Sequence, residues 1–225
     1  MKSIAVAIDG PSGAGKSTIA RAAAEHLGVV YVDTGAMYRT IGLAVCRAGV
    51  QLGETEKIPS VLDTGLQVSL QYQDGVQHVL LNGEDVSGLI RTPEMSKYAS
   101  FVSAVPAVRA FLLDTQREMA QTHNVIMDGR DIGTVILPDA EVKIFLTASP
   151  EARARRRFIE LQEKGEQVTY EEVLADMIQR DYDDETRAAA PLKQAEDAVL
   201  VDTSDLTLEQ SMEAVEAVVR RALEG

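Results

Sequence analysis

An α/β fold with a parallel sheet is predicted, and three observations predict it. A fully apolar run, Ile4 to Ile8, leads into a glycine-rich break and then a helical stretch. Four further short apolar runs follow down the chain, separated by stretches with helical spacing. Between the second and third of the five, a segment of alternating polarity reads as an antiparallel patch. Short strands that are wholly apolar are buried on both faces, as in a parallel sheet covered by helices.

The elements follow in order. Ile4–Ile8 is the first strand, and Asp9-Gly10-Pro11-Ser12-Gly13-Ala14-Gly15 ends it. Ser17 to Leu27 is Ala-rich with helical spacing, and Gly28 stops it. Val29–Val32 is the second strand. Asp33-Thr34-Gly35 opens a helix to about Ala48, closed by Gly49. Leu66, Val68, Leu70 and Tyr72 then alternate with Gln67, Ser69, Gln71 and Gln73, which predicts a strand with one buried face. Asp74-Gly75 is a two-residue hairpin signal with Val76–Leu81 as the return strand, and a short third strand is expected near Val86.

Thr92-Pro93, Val105-Pro106 and Ser149-Pro150 each predict a helix start with proline at the first helical position. The second of these helices should run to about Thr122. Val125–Met127, Val142–Leu146 and Val199–Val201 complete five core strands. Thr169–Glu172 and Thr207–Gln210 read as capping boxes opening two more helices. The expectation is a single domain over 1–225: a core of about 1–56 and 99–225, with the antiparallel patch inserted at about 57–98.

Composition narrows the function. With 225 residues the chain suits one large domain or a core with an inserted piece. Asp+Glu outnumber Lys+Arg by 35 to 22, a formal charge of −13, so a general nucleic-acid binder or an anionic-membrane partner is not expected. Aromatics at 4% and the lack of Trp leave few platforms for stacking single-stranded bases. Cys46 has no second cysteine to pair with, which fits a reducing cytoplasm, and it should be a small buried helix residue. No apolar run nears the roughly 18 residues of a membrane span. Met1-Lys2-Ser3 and the five apolar residues after it fall short of a signal-peptide core of about 7–15. His26, His78 and His123 lack a Ser or Cys partner pattern and read as ordinary surface or packing residues. A single copy is expected to suffice.

Gly10-Pro11-Ser12-Gly13-Ala14-Gly15-Lys16-Ser17 fits G-x-x-x-x-G-K-[ST] at every fixed position, between a predicted strand and a predicted helix. In such a loop the glycines let successive N–H groups face phosphate oxygens, and the helix adds its positive end. Lys16 reaches the outer phosphates, and the Ser17 hydroxyl is a hard oxygen suited to Mg²⁺. A nucleoside triphosphate with Mg²⁺ is the expected ligand. A bare glycine turn would not also need the lysine, the serine and the strand–helix context.

Arginine is the second signal, with 15 Arg against 7 Lys. Arg39 lies on the helix after the second strand, and Arg130 follows the third core strand. Arg153, Arg155, Arg156 and Arg157 cluster early in one helix. Arginine suits bidentate phosphate recognition, and open α/β sheets bind ligands at the C-terminal ends of their strands. Arg180, Asp184 and Arg187 fall at i, i+4 and i+7 on one expected helical face. Asp184 either bridges the two arginines or is held by them to offer a lone pair to a substrate; spacing alone leaves both open.

Several stretches together are similar to one family. Ile8 to Thr18, Asp33-Thr34-Gly35-Ala36-Met37-Tyr38-Arg39, Gly83 to Ser87 and Ile90-Arg91 resemble the bacterial cytidylate kinases. So do Asp128 to Val135 with Pro138-Asp139-Ala140, Lys143 to Leu146 and Leu161 to Gly165. Arg180-Asp181, Asp184, Arg187, Ala190-Pro191-Leu192 and Asp202-Thr203-Ser204 complete the resemblance, in family order over nearly the whole chain.

That resemblance implies a P-loop NTPase three-layer fold with a five-stranded parallel sheet, a lid at about 150–166 and a small antiparallel monophosphate-binding insert. It implies transfer of a phosphoryl group from ATP, with Mg²⁺, to CMP or dCMP. Gly10 to Thr18 would cradle ATP, with lid residues Arg153 and Arg157 over its phosphates. Lys16 would stabilise the transferring group, and Ser17 would support the metal. Arg39 and Arg130 would hold the acceptor phosphate, with Thr34 near it. Ser100, Arg109 and Asp184 would read the cytosine edge, while Arg180, Asp184 and Arg187 would also contact sugar or phosphate. Asp128 would orient the metal's water or accept a hydrogen bond. A carboxylate facing cytosine's exocyclic amine would reject uracil, which has a carbonyl there. Two other readings remain: a kinase for a different small metabolite, and a regulatory nucleotide switch that hydrolyses slowly.

Overall fold

The computed structural model describes residues 4–224. Met1-Lys2-Ser3, on which the signal-peptide reading turns, and Gly225 lie outside the described residues. Strand β1 (Ala5–Asp9) is buried at every position, as its unbroken apolar run requires. Helix α1 (Lys16–Leu27) follows the glycine-rich loop and ends at Gly28, whose left-handed backbone (φ 65°) lets its N–H reach the carbonyls of Ala24 and Glu25. Strand β2 (Val30–Asp33) leads directly into α2 (Thr34–Arg47), capped by the Asp33 carboxylate on the Ala36 N–H at 2.8 Å.

The inserted region carries α3 (Ile58–Leu62), β3 (Val68–Gln73), β4 (Val76–Leu81) and β5 (Glu84–Asp85). The three strands pair antiparallel in the order β3-β4-β5, and Asp74 and Gly75 both take the positive φ of the tight turn. The short third strand is found where it was expected, and the bounds and burial of the first are corrected. The strand starts at Val68 rather than Leu66, and its inward face is only half-buried, because β4, through Val79 and Leu81, makes the buried contact. The third strand lies at Glu84–Asp85, with Val86 buried just after it.

Helix α4 (Pro93–Ser103) spans the expected boundary at 98, packing Tyr98, Ala99 and Val102 into one apolar cluster with α2, β4 and α5 (Pro106–Thr122). Then come β6 (Val125–Gly129), a π-helical turn at Ile132–Ile136, β7 (Val142–Thr147), α6 (Pro150–Glu163), α7 (Tyr170–Thr186), β8 (Val199–Asp202) and α8 (Leu208–Glu224). Both capping boxes form. Thr169 and Glu172 exchange bonds at the start of α7, and Thr207 and Gln210 do so before α8. Cys46 is half-buried in α2 rather than fully buried.

The core sheet has five parallel strands in the order β2-β6-β1-β7-β8. Alternate residues feed opposite layers. Val6, Ile8, Ile126 and Ile144 pack against α1 and α8, while Ala5, Ala7, Val125 and Met127 pack against α5 and the π-helical turn. The order reverses direction at β1, and the glycine-rich loop leaves β1 there. Open α/β sheets bind ligands at such a switch point, outside the carboxyl ends of the strands.

Candidate active site

A cleft of about 1550 Å³ opens above the C-terminal ends of the strands. It is lined by every residue assigned above to catalysis, ATP or CMP except Gly10 and Pro11, which lie buried beneath the loop. Gly10 is fixed by close approach: a Cβ there would sit 1.9 Å from the Leu146 carbonyl oxygen, and its φ is +151°.

The phosphate-loop lysine is buried. Lys16 Nζ donates to the Pro11 carbonyl at 2.7 Å, so the loop is closed on itself by the group that would reach a phosphate. Burial, then the nearby Arg130 charge, hold its amine well below the ordinary lysine pKa. Ser17 Oγ donates to Asp128 Oδ2 at 2.8 Å, and Tyr31 Oη donates to Asp128 Oδ1 at 2.9 Å. Burial and the Asp33 charge push the Asp128 carboxyl up to about 6. Asp9 reaches about 6 as well, through burial, although it accepts the Ile132 and Gly133 N–H bonds at 2.8 Å each. Those bonds pin the segment carrying Arg130 and Asp131. Thr34 Oγ1 spends its proton on the Asp128 carbonyl at 2.7 Å.

Opposite the phosphate loop, arginines gather around carboxylates. Arg39 Nη2 pairs with Asp33 at 3.0 Å, while its Nε is buried without a partner. Arg130 Nε pairs with Asp184 Oδ2 at 2.8 Å, and Arg187 Nη1 reaches Asp184 Oδ1 at 3.3 Å. Burial works against ionised Asp184, but Arg130 and then Arg187 outweigh it and hold its pKa below the usual carboxylate range. Arg180 differs: its Nε is buried with no partner. Burial and the neighbouring Arg130 charge pull its pKa down to about 10.

These contacts revise three sequence expectations. Asp184 does bridge two arginines, but they are Arg130 and Arg187, with no hydrogen bond to Arg180. The single helical face for 180, 184 and 187 does not hold. Helix α7 ends at Thr186, and Arg187 caps it in an extended conformation (ψ 140°), its Nε donating to the Ala190 carbonyl at 2.8 Å. Arg153 is not poised over a ligand. Its guanidinium is buried and donates to the carbonyls of Ala148 and Ser12 and to both Asp181 oxygens. Arg156 is similarly spent on Thr203. Within the arginine cluster of α6, Arg157 faces the cleft, paired only with Glu160 at 2.7 Å on its own helix.

The structure also adds residues. Asp131 is buried, ion-paired to Arg109, with Arg187 3.9 Å away. Arg109 donates to the Ser103 carbonyl at 3.0 Å and lies over the Tyr38 ring at 5.5 Å. Ser103 Oγ in turn donates to the carbonyl of Ser100. The signal for Asp131 was present in the Asp128-to-Val135 stretch. Its partner Arg109, 22 positions away on another helix, was not legible as such.

The sequence profile of the cytidylate kinase family matches residues 6–221. This chain belongs to the cytidylate kinase family. As a member of that family it is a kinase, a phosphotransferase. Relatives within the family are similar along almost their whole length. The cytidylate kinase of Caldicellulosiruptor saccharolyticus is 52% identical over 215 residues, covering 96% of this chain and 95% of that one. The cytidylate kinase of Citrifermentans bemidjiense is 49% identical over 220 residues, covering 98% and 94%. Among solved structures, an uncharacterized protein from Eubacterium ventriosum matches with a TM-score of 0.51 at 14% identity, covering 99% of both chains, a likeness of fold alone. Among the described residues no helix is long and apolar enough to cross a membrane.

Proposed function

We propose that this chain transfers the γ-phosphoryl group of ATP to CMP or dCMP, giving CDP or dCDP and ADP, through the residues just described. The observation that carries the acceptor assignment is the unpaired, buried Nε of Arg39 and of Arg180 beside the cleft. Buried guanidinium N–H groups left without partners are what an anion completes.

ATP enters over the Gly10–Thr18 loop, with the N–H groups of its exposed part, Ser12 to Thr18, facing its phosphates. Lys16 exchanges its bond to the Pro11 carbonyl for a phosphate oxygen, whose charge favours its ammonium form against the burial that works the other way. Mg²⁺ fits this site by the chemistry of its donors: the Ser17 hydroxyl and the Asp128 carboxylate are hard oxygens 2.8 Å apart beside the phosphate loop. When bound, that ion neutralises charge on the β- and γ-phosphates. Arg39, Arg130 and Arg180 receive the acceptor phosphate and hold its oxygen in line for attack. Phosphoryl transfer needs little covalent help, so this positioning and charge neutralisation constitute the catalysis.

The base is read by Arg109 and Asp131, with Ser100 and Ser103 alongside. A guanidinium beside a carboxylate offers the donor and acceptor that cytosine's ring acceptors and exocyclic amine require. Asp184 then serves the sugar and phosphate side, since both of its oxygens are engaged by Arg130 and Arg187. Helix α6 and the loop after it act as the lid, with Arg157 as the arginine free to turn toward ATP and Arg153 as the strut between lid and phosphate loop. Closure excludes water and limits wasteful hydrolysis. One copy supplies every residue named, and the chain is taken to work as a monomer in the cytoplasm.

An ADP-release assay with ATP and Mg²⁺ tests the reading, with CMP, dCMP, UMP, AMP and no acceptor offered in parallel. Release with CMP and dCMP alone is expected. Release without any acceptor would point to a slow-hydrolysing switch, and turnover with UMP or AMP equal to that with CMP would remove the base-reading assignment.

A further inference from the structure

Strand β2 is an edge strand of the core sheet, paired only with β6. An edge strand leaves alternate backbone groups without a ladder partner. Here two side chains of the inserted hairpin take the place of a ladder. Gln77 Oε1 accepts from the Asp33 N–H at 2.8 Å, and Gln77 Nε2 donates to the Asp33 carbonyl at 3.3 Å. A carboxamide thus presents to Asp33 the same donor and acceptor that a neighbouring peptide unit would. Tyr72 Oη donates to the Tyr31 carbonyl at 3.0 Å. Tyr72 and Gln77 face each other directly across the β3–β4 hairpin, so they reach β2 as a pair.

The two residues gripped by their backbones are ones whose side chains hold cleft-lining groups. Asp33 caps α2 and holds Arg39, and Tyr31 holds Asp128. We propose that Tyr72 and Gln77 are positioning residues: a side-chain clasp that ties the inserted hairpin to the edge of β2 and so sets Arg39 for the acceptor phosphate. The inference rests on the acceptor-site reading for Arg39 given above. Through Gln77 and Asp33 it makes the insert's placement an input to acceptor affinity, while the phosphate loop between β1 and α1 meets the clasp only through Tyr31 and Asp128.

The test pairs backbone amide exchange with nucleotide binding, on the full chain. In the wild type the Asp33 amide should be protected. In Gln77→Ala it should exchange at least about tenfold faster, with CMP affinity falling about five- to tenfold and ATP affinity unchanged within about twofold, as the loss of one or two modest hydrogen bonds implies. Tyr72→Phe, which removes only the hydroxyl, should weaken CMP about two- to threefold. His78→Ala is the control: it breaks the His78–Asp85 contact in the same small sheet without touching β2.

An Asp33 amide that exchanges freely in the wild type overturns the clasp. Lost protection with unchanged CMP affinity overturns its role in positioning. So does equal weakening by His78→Ala, which would mark a general loosening of the insert. Wild-type turnover reports on the substrate reading separately. If a different monophosphate proves to be the acceptor, the same variants are compared with that monophosphate.

Discussion

Replacing Arg180 with Met should make the protein more stable and less active. The sign follows from the burial of a cation. Arg180 has a buried, unpaired Nε, and its pKa is pulled from 12.5 to about 10 by burial and by Arg130. A base with a lowered folded pKa is disfavoured in its charged form. At pH 7 it is charged in both folded and unfolded chains, so the full penalty applies and would be relieved only above about pH 10. A difference of about 2.5 units corresponds to about 3 kcal/mol at 1.36 kcal/mol per unit. Solvent reaching the half-buried guanidinium reduces that, leaving an expected gain of about 1–2 kcal/mol for Met.

For a chain of this length such a gain raises Tm by about 2–8 °C. Differential scanning calorimetry of the ligand-free protein at pH 7 reads it. The same variant should lose about 10²-fold or more in kcat/KM for CMP, as expected when a charge aimed at a phosphate is removed. Added inorganic phosphate should raise the wild-type Tm more than the variant's. If Arg180 were instead a structural partner of Asp184, Arg180→Met would lower Tm, and that result would refute the reasoning.

Other expected outcomes follow from the same geometry. Lys16→Met should cut kcat by about 10²–10³-fold while leaving CMP affinity, by isothermal titration, within about threefold. Asp131→Asn should reduce the CMP-over-UMP ratio of kcat/KM by at least about tenfold, since one well-aligned polar contact discriminates by about 1–3 kcal/mol. Asp128, pushed up to about 6, makes the fold less stable above that pH and is harmless once protonated in both states below 3.8. Asp128→Asn should therefore unfold at higher urea than wild type at pH 7, with the gap closing toward pH 4, while turnover is lost. Gly10→Ala should fail to accumulate as folded protein by circular dichroism, because its Cβ meets backbone rather than a movable side chain.

What the sequence made legible was local. The phosphate loop is one contiguous run built largely from backbone, and the caps at Thr169 and Thr207 close within three residues, so spacing alone reveals them. The parallel sheet was legible because β1 up to Ile8 and β6 up to Met127 are buried on both faces and apolar, with the polar residues Asp9 and Asp128 only at their C-terminal ends. The rest of the site is made by side chains far apart in the chain. Ser17 meets Asp128 across 111 positions, Arg130 meets Asp184 across 54, and Asp33 meets Gln77 across 44. Arg153 shows the cost of reading charge without direction: a cluster on a helix looks like a phosphate clamp until its face is seen turned to Ser12 and Asp181. Arg187 shows the cost of extending a period beyond a helix end: α7 stops at Thr186, and Arg187 turns extended (ψ 140°). Donor binding and acceptor recognition therefore differ in kind. On the proposed reading, the triphosphate would be met by backbone geometry that a short motif encodes, and so would survive changes elsewhere in the chain. The acceptor would be met by arginines whose aim depends on carboxylates contributed from β2, α7 and the segment after β6. Substitutions remote from the acceptor should accordingly shift its KM more readily than that of ATP.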